Sequence, residues 1–239
     1  MERQHHRWYS RMLGRDMEML VYGYAGARAI AFPTSMGRYW DWEDRGMVAA
    51  LGDHLEKGWL QMYCVDSVDG ESWYNRHIHP HDRAARHTQY DRYIAHEVVP
   101  FSTHLNPNPF LITTGASFGA YHALAFGLRH PEVTGRVLGM SGLYDVKQLT
   151  DGYSDDEVYF GNPFDFVLNE HDPARLDAMR RVDIILAVGR DDPACNNNLE
   201  LSQRLWRKGV WHALRVWDGW AHDWPFWQRM VRLYIGGHD

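Results

Sequence analysis

A Gly-x-Ser-x-Gly motif at residues 115–119 offers a nucleophile. It follows an apolar run typical of a buried strand and precedes a segment whose apolar residues recur at helical spacing. Where a strand turns directly into a helix, the central serine is strained and exposed, and only glycine fits two residues to either side. The motif therefore predicts a nucleophile at Ser117 and an oxyanion-binding amide at Phe118, the start of the helix.

The carboxylate of such a site is expected further along the chain. A serine hydroxyl is a weak nucleophile and needs a histidine base that a carboxylate orients. After a strand–serine–helix turn, the acid comes next in sequence and the histidine last. The apolar run 184–188 ends at Gly189, and Asp192, three residues later, is the predicted acid. Asp191 is the alternative, although it could instead cap the next helix or bind an arginine.

Three histidines, His212, His222 and His238, follow these carboxylates. His212 begins an extended run, and His238 lies in the C-terminal tail. His222 falls between the last predicted strand and the last predicted helix, where the base of such a triad belongs. The order Ser117, Asp192, His222 therefore predicts a serine hydrolase triad.

The second oxyanion donor is expected in the loop that follows an early strand, at residues 33–36. Pro33 has no N–H group and cannot donate. A backbone amide of Thr34, Ser35 or Met36 must therefore serve, and Ser35 is the predicted donor.

The same loop and residues 66–74 are expected to line the rim of the site. Thr34 and Met36 are predicted to contact the substrate, together with Trp73. The carboxylates of residues 66–74 are explained at least as well by a solvated acidic loop.

His77, His79 and His81 alternate along one segment, and alternate histidines of an extended chain could bind a metal ion. Pro80 and the charged residues after it indicate a loop, and no Asp or Glu stands at the spacing of a zinc-protease motif. We therefore expect neither a metal nor another cofactor.

The elements that must position these residues alternate along the chain. Extended runs are predicted at residues 17–24, 27–32, 60–65, 110–115, 136–141, 183–189 and 212–218. Helices are predicted at residues 45–57, 90–102, 117–128, 197–207 and 224–234. Strands separated by helices need crossover connections, which predicts an α/β protein with a mainly parallel sheet in a three-layer α/β/α sandwich.

Residues 144–181 interrupt this alternation with turn-forming Asp, Gly, Asn and Pro residues. Long connections are often functional or partly helical. A lid over the site and a set of short helices packed at a sheet edge are the two interpretations. No linker or repeat divides the chain, so residues 1–239 are expected to form one domain.

Composition narrows the class of protein. The 239 residues include 25 basic and 31 acidic side chains, a net charge of −6, and no long Lys/Arg run, which argues against a nucleic-acid partner. No apolar run approaches the roughly 18 residues that a membrane span needs, and the first residues lack the apolar core of a secretory signal. With two distant cysteines, a cytoplasmic protein with free thiols is expected. A homo-oligomer is compatible with this composition.

The chain resembles a small bacterial subgroup of the α/β-hydrolase-fold esterases at residues 32–35, 65–69, 97–100 and 216–224. The wider family includes S-formylglutathione hydrolases, feruloyl esterases and mycolyltransferases, and the order of elements is similar throughout the chain. The resemblance implies an α/β-hydrolase fold with a nucleophile at Ser117, an acid at Asp192 and a base at His222. Many relatives carry His-Gly where this chain has Pro33 and Thr34, so the first oxyanion donor does not follow from the resemblance.

Taken together, the motifs predict a serine carboxylesterase that hydrolyses short-chain or small polar or aromatic esters through an acyl-enzyme. The expected partner is a small-molecule ester. Two alternatives stay open: acyl transfer to another alcohol on the same scaffold, and a catalytically silent binding module that kept the fold. The intact order of the three triad residues favours catalysis.

Overall fold

The chain forms an eight-stranded sheet in the computed structural model, which describes residues 2–237. The strands are β1 (Arg3–Ser10), β2 (Arg15–Tyr22), β3 (Ala27–Phe32), β4 (Leu60–Val65), β5 (Leu111–Ala116), β6 (Arg136–Met140), β7 (Asp183–Gly189) and β8 (His212–Trp217). Their order across the sheet is β1-β2-β4-β3-β5-β6-β7-β8. The pairs β1–β2 and β2–β4 are antiparallel, and the other pairs are parallel.

Helices cover both faces of the sheet. One face packs against α1 (Asp41–Asp44), α2 (Met47–Ala50), α3 (Gly52–Glu56) and α11 (Trp224–Tyr234). The opposite face packs against α4 (Pro80–Tyr93), α5 (Val99–Leu105), α6 (Phe118–Arg129) and α10 (Cys195–Arg207). Within residues 2–237, none of the helices combines the length and the apolar character needed to cross a bilayer. The predicted mainly parallel α/β/α sandwich is confirmed.

Parallel strands place their carboxyl ends at one edge of the sheet. In the register of neighbouring strands, Phe32 lies opposite Gly115, and Gly189 lies opposite Trp217. The loops that follow β3, β5, β7 and β8 therefore emerge along the same edge, although they are far apart in sequence. This edge carries all the predicted catalytic residues.

The seven predicted strands are present with boundaries shifted by at most two residues. The sequence prediction missed β1, whose residues alternate between exposed and half-buried positions on the outer edge of the sheet. An edge strand can carry arginine and histidine on both faces because neither face needs to enter the core. Apolar periodicity therefore does not reveal it.

Two predicted helices differ from those observed. A single helix over residues 45–57 is wrong, because Gly46, with a φ of +73°, and a later turn divide this region into short helices. The helix predicted at residues 90–102 is part of a longer one: α4 begins at Pro80 and continues through a π-helical turn, Ile94–Val98, into α5. Proline is favoured at the first helical position, which needs no N–H donor, so the loop predicted there is wrong.

Residues 144–181 form three short helices, α7 (Asp156–Gly161), α8 (Pro163–Asn169) and α9 (Pro173–Met179). Thr88 of α4 donates to Glu157 of α7 at 2.6 Å, and Arg204 of α10 donates to the Phe164 carbonyl of α8 at 2.8 Å. These contacts match the interpretation of short helices packed against the rest of the chain. A lid function, and a single domain over residues 1–239, stay predictions.

Candidate active site

Ser117 occupies a strained turn between β5 and α6. Its φ of +54° and ψ of −121° lie outside the regions that a side chain normally allows. A Cβ on Gly115 would lie 2.2 Å from the backbone of Gly119, and a Cβ on Gly119 would lie 2.5 Å from the Pro33 carbonyl oxygen. Close backbone approach therefore requires both glycines, and the turn has the geometry that the motif predicts.

Ser117, His222 and Asp192 form a continuous chain of hydrogen bonds. Ser117 Oγ lies 3.1 Å from His222 Nε2, and His222 Nδ1 lies 3.1 Å from both carboxylate oxygens of Asp192. An ionised carboxylate only accepts, so Nδ1 carries the proton and Nε2 of the neutral ring can accept one from the serine. The Asp192 side chain is fully buried, whereas 29% of the His222 side chain is exposed. In this series of hydrogen bonds, the His222 end, which faces the nucleophile, is therefore accessible, and the Asp192 end is not.

Opposing effects act on the pKa of Asp192. Burial alone would raise this pKa, but hydrogen bonds outweigh it and hold the pKa below its ordinary value. The donors are His222 and the Ala194 amide at 2.8 Å, and the nearby hydroxyl of Ser141 also favours the charged form. Asp192 is therefore ionised at neutral pH, as a group that stabilises a histidine cation must be.

The other candidates for acid and base lie apart from this chain of hydrogen bonds. Asp191 is exposed, in contrast to the buried carboxylate beside it. His212 is buried next to α10, where its Nε2 lies 2.7 Å from Ser202 Oγ and its Nδ1 lies 3.0 Å from the Val210 carbonyl. His238 lies outside the described residues.

Two carboxylates hold the amides on either side of Ser35. Asp41 accepts from the amide and the hydroxyl of Thr34, each at 2.9 Å, and Asp69 accepts from the Met36 amide at 3.0 Å. Among residues 2–237, no protein group accepts a hydrogen bond from the Ser35 amide. Of the three predicted donors, Ser35 is thus the one whose N–H is available. The Met36 side chain is exposed, and substrate contact by Thr34 and Met36 stays a prediction.

Tyr74, and not the adjacent Trp73, forms the rim of the site beside this loop. The Phe118 amide belongs to the first turn of α6, whose N–H groups have no partner within the helix. The Tyr74 ring meets the Phe118 ring edge-on at 5.1 Å, and its hydroxyl lies 2.9 Å from Ser35 Oγ. Trp73 is fully buried and donates to the Tyr121 hydroxyl at 3.0 Å. The prediction that Trp73 binds substrate is therefore wrong, because the backbone turns this side chain into the core.

The histidines at the start of α4 make local contacts. His79 precedes the helix and accepts from the His81 amide through Nδ1 at 3.2 Å, and His81 Nδ1 lies 2.6 Å from Asp155 Oδ2. Within the described part of the chain, no three His, Cys, Asp or Glu side chains are grouped so that they could hold a metal ion. The segment thus ties α4 to the α7 region.

Residues 66–74 are predicted to line the rim, but sequence reasoning gives no individual role to Asp69 or Tyr74, and none to Ser141. Ser141 follows β6 and helps to lower the pKa of Asp192, while Asp69 follows β4 and bonds to His122. These contacts join residues about fifty positions apart, so spacing along the chain does not reveal them. The one available signal is that each residue lies at or after the carboxyl end of a predicted strand.

A serine at a strand–helix turn, hydrogen-bonded to a histidine and a carboxylate at the carboxyl edge of a mainly parallel sheet, defines an α/β-hydrolase-fold enzyme. The chain belongs to the esterase family, because the family model described as "Putative esterase" matches residues 61–231. It is a hydrolase that acts on ester bonds. No curated protein sequence gives a significant match.

Solved structures share the architecture of the chain. A ferulic acid esterase has a TM-score of 0.77 at 18% identity, over 97% of this chain and 95% of its own. An S-formylglutathione hydrolase from Agrobacterium tumefaciens has a TM-score of 0.75 at 11% identity, over 98% and 93%. The enzyme of the same name from Staphylococcus aureus has a TM-score of 0.68 at 14% identity, over 97% and 93%. These likenesses confirm the predicted α/β-hydrolase fold.

Proposed function

We propose that this esterase is a serine carboxylesterase that works through an acyl-enzyme formed on Ser117. The observation that carries the proposal is the unbroken chain from Ser117 Oγ through His222 to the buried Asp192, with 3.1 Å between the atoms at each step. The available amides of Ser35 and Phe118 support it, because an ester carbonyl attacked by Ser117 develops charge on its oxygen.

In the proposed reaction, His222 Nε2 accepts the Ser117 proton while Oγ attacks the ester carbonyl. Asp192 stabilises the imidazolium, and the amides of Ser35 and Phe118 bind the oxyanion of the tetrahedral intermediate. His222 then gives its proton to the departing alcohol, which leaves the acyl group on Ser117. A water molecule, deprotonated by His222, attacks this acyl group and releases the acid.

We expect the substrate to be a short-chain ester or a small polar or aromatic one. Single aromatic rings flank the reacting atoms: Tyr74 bonds to Ser35, and the half-exposed Trp220 lies 6.3 Å from the His222 ring. Flat rings stack on another ring or on a short acyl group. The name of the structurally similar ferulic acid esterase, which refers to an aromatic acid, is in line with this expectation.

Covalent labelling tests the nucleophile and the base. Intact mass measurement after treatment with a fluorophosphonate should show one adduct on the natural chain and none on Ser117→Ala. His222→Asn should label slowly or not at all. His212→Asn is the matched control and should label like the natural chain. His212 is also a histidine, but it is bonded to Ser202, apart from the hydrogen bonds that join Ser117, His222 and Asp192. Labelling of Ser117→Ala would contradict the proposed nucleophile.

The proposed reaction uses side chains and amides of this chain alone. Hydrolysis of p-nitrophenyl acetate is therefore expected to continue unchanged in EDTA. Loss of activity on chelation, restored by zinc, would instead assign a role to His77, His79 and His81. A cytoplasmic location, the lack of a nucleic-acid partner and a homo-oligomeric state stay predictions.

A further inference from the structure

A buried carboxylate joins the predicted oxyanion loop to helix α6. Asp69 lies in a short 3₁₀ turn after β4, and its side chain is 1% exposed. Its Oδ1 lies 2.9 Å from His122 Nε2, and its Oδ2 accepts from the Met36 amide at 3.0 Å. His122 is in α6, so Asp69 connects this helix, which begins directly after Ser117, to the residue that follows Ser35.

The backbone held by Asp69 is strained. Met36 has a φ of +59°, in the left-handed region that residues with a side chain rarely adopt. Such a conformation persists only when surrounding contacts determine it. The hydrogen bonds that the Thr34 amide donates to Asp41 and the Met36 amide donates to Asp69 supply those contacts on either side of Ser35.

Asp69 also acts on the loop through a second route. Its backbone carbonyl accepts from the Tyr74 amide at 3.0 Å, and the Tyr74 hydroxyl lies 2.9 Å from Ser35 Oγ. The same turn therefore fixes the side chain of Ser35 and the amide that follows it. Among residues 2–237 the Ser35 N–H has no acceptor, whereas the amides of Thr34 and Met36 on either side of it are bound by carboxylates.

We propose that Asp69, oriented by His122, is a positioning residue that sets the Ser35 amide for oxyanion binding. The inference rests on the proposed function, since it assigns a purpose to the donor of that reaction. A carboxylate at position 69 suits this role, because its two oxygens accept hydrogen bonds from His122 and from Met36 at once. An asparagine keeps both contacts only if the His122 proton moves to Nδ1, which is buried and has no hydrogen-bond partner among the described residues.

Asp69→Asn, measured against Asp91→Asn, tests the proposal. Asp91 is a matched control: it is also buried and also bonds to a histidine, His130, at 2.8 Å, but it joins α4 to the far end of α6. The readouts are kcat and KM for p-nitrophenyl acetate and the inhibition constant of a trifluoromethyl ketone. The ketone forms a tetrahedral adduct whose oxyanion needs the same donors, whereas KM reports largely on ground-state binding.

Removing one oxyanion donor typically costs about 10²–10³-fold in kcat. For a displaced donor we expect Asp69→Asn to lower kcat and ketone affinity by roughly 10- to 100-fold, a fraction of that loss. KM should change less than threefold. Asp91→Asn should leave all three values within threefold, even if its midpoint of thermal unfolding falls by as much as that of Asp69→Asn. Equal losses in both variants, or unchanged ketone affinity in Asp69→Asn, would overturn the proposal.

His122→Gln gives a second measurement that does not depend on the folding of Asp69→Asn. It keeps the carboxylate and weakens only its orientation, so kcat and ketone affinity should fall together by a smaller factor. Unchanged ketone affinity there also overturns the proposal. The Ser117→Ala variant separates the two inferences: if it stays active, the proposed function fails, and if it is inactive while Asp69→Asn binds the ketone normally, only the role of Asp69 fails.

Discussion

The indole N–H of Trp227 donates to the hydroxyl of Ser141 at 3.1 Å, directly behind the acid of the proposed triad. Ser141 is fully buried and has a φ of +51°. Its hydroxyl donates to the Ala221 carbonyl at 3.3 Å, and it is one of the causes that lower the pKa of the Asp192 carboxyl. The Trp227 ring in turn meets the His222 ring at 5.2 Å. One tryptophan therefore contacts the base and also the serine that helps to lower the pKa of the acid.

We expect Ser141→Ala to lower kcat about tenfold with little change in KM. The Ser141 hydroxyl helps to lower the pKa of Asp192 and so stabilises the charged carboxylate that His222 needs, and a polar contact to a charged group is worth about 1.5–3 kcal/mol. Alanine tolerates the backbone conformation no worse than serine, so the fold should persist. Trp227→Phe is the companion variant, because it removes the N–H donor but keeps the hydroxyl and a ring, and it should have a smaller effect. Full activity in Ser141→Ala would contradict this role.

Asp192→Asn should lower kcat by about 10⁴, because the orienting carboxylate fixes the tautomer in which Nε2 accepts the serine proton. Asp191→Asn is the matched control, since the neighbouring side chain is exposed and makes no contact with the His222 ring. It should stay within about twofold of the natural chain at equal folded fraction. A larger loss at Asp191 would reverse the assignment of the acid.

A buried histidine links stability to pH. The Tyr121 hydroxyl donates to the Gly161 carbonyl at 2.7 Å, so His87 Nε2, 3.0 Å from the same oxygen, is the donor and the ring is neutral. Burial holds the pKa of His87 well below its ordinary value. The unfolded chain therefore takes up a proton below about pH 6.5 that the folded chain does not. The free energy of unfolding is unaffected above that pH and decreases as the pH falls below it.

His87→Gln is expected to flatten this decrease. Glutamine can still donate to Tyr121 but does not titrate, and one group contributes at most about 1.4 kcal/mol per pH unit. Urea unfolding at several values between pH 7 and pH 5 measures the slope. His104→Gln, at an exposed position in α5, is the control and should keep the slope of the natural chain. An unchanged slope in His87→Gln would exclude His87 as its source.

Chain-length preference follows from the residues beside the proposed nucleophile. Each methylene of an acyl chain gains about 0.8 kcal/mol only where apolar side chains bury it. Tyr74 and Trp220 offer single rings, and Tyr74 directs its hydroxyl toward Ser35. In a series of p-nitrophenyl esters from acetate to palmitate, kcat/KM should be highest at two to four carbons. A maximum at eight carbons or beyond would contradict this expectation.

The sequence predicted the parts of the protein that obey local rules. Strands buried on both faces show as apolar runs, and the strained turn at Ser117 requires glycine at fixed positions, so both could be predicted. Helix α4 was predicted only in part, because its buried face carries Arg83, His87 and Asp91 where apolar residues would show helical periodicity. Those polar residues hydrogen-bond to Leu149, Tyr121 and His130, partners that only the folded chain brings near.

The proposed oxyanion site also has one feature that the sequence predicts and others that only the folded chain shows. That Pro33 cannot donate follows from its covalent structure. The choice among the three amides after it depends on Asp41 and Asp69, whose carboxylates occupy two of them. Likewise, Trp73 and Tyr74 are adjacent aromatic residues, and only the path of the backbone decides which one faces the site.

The π-helical turn between α4 and α5 fastens the outermost strand of the sheet. Glu97, in that turn, accepts from Trp8 Nε1 at 2.8 Å, from Ser10 Oγ at 2.9 Å and from the Met12 amide at 3.0 Å. Removing the charge of Glu97 should weaken these hydrogen bonds. The hairpin of β1 and β2 should then open independently of the rest of the sheet. In Glu97→Gln, amide hydrogen exchange should accelerate in β1 and stay slow in β5. The strand that leads to Ser117 would then keep its hydrogen bonds while the outermost strand of the sheet opens transiently.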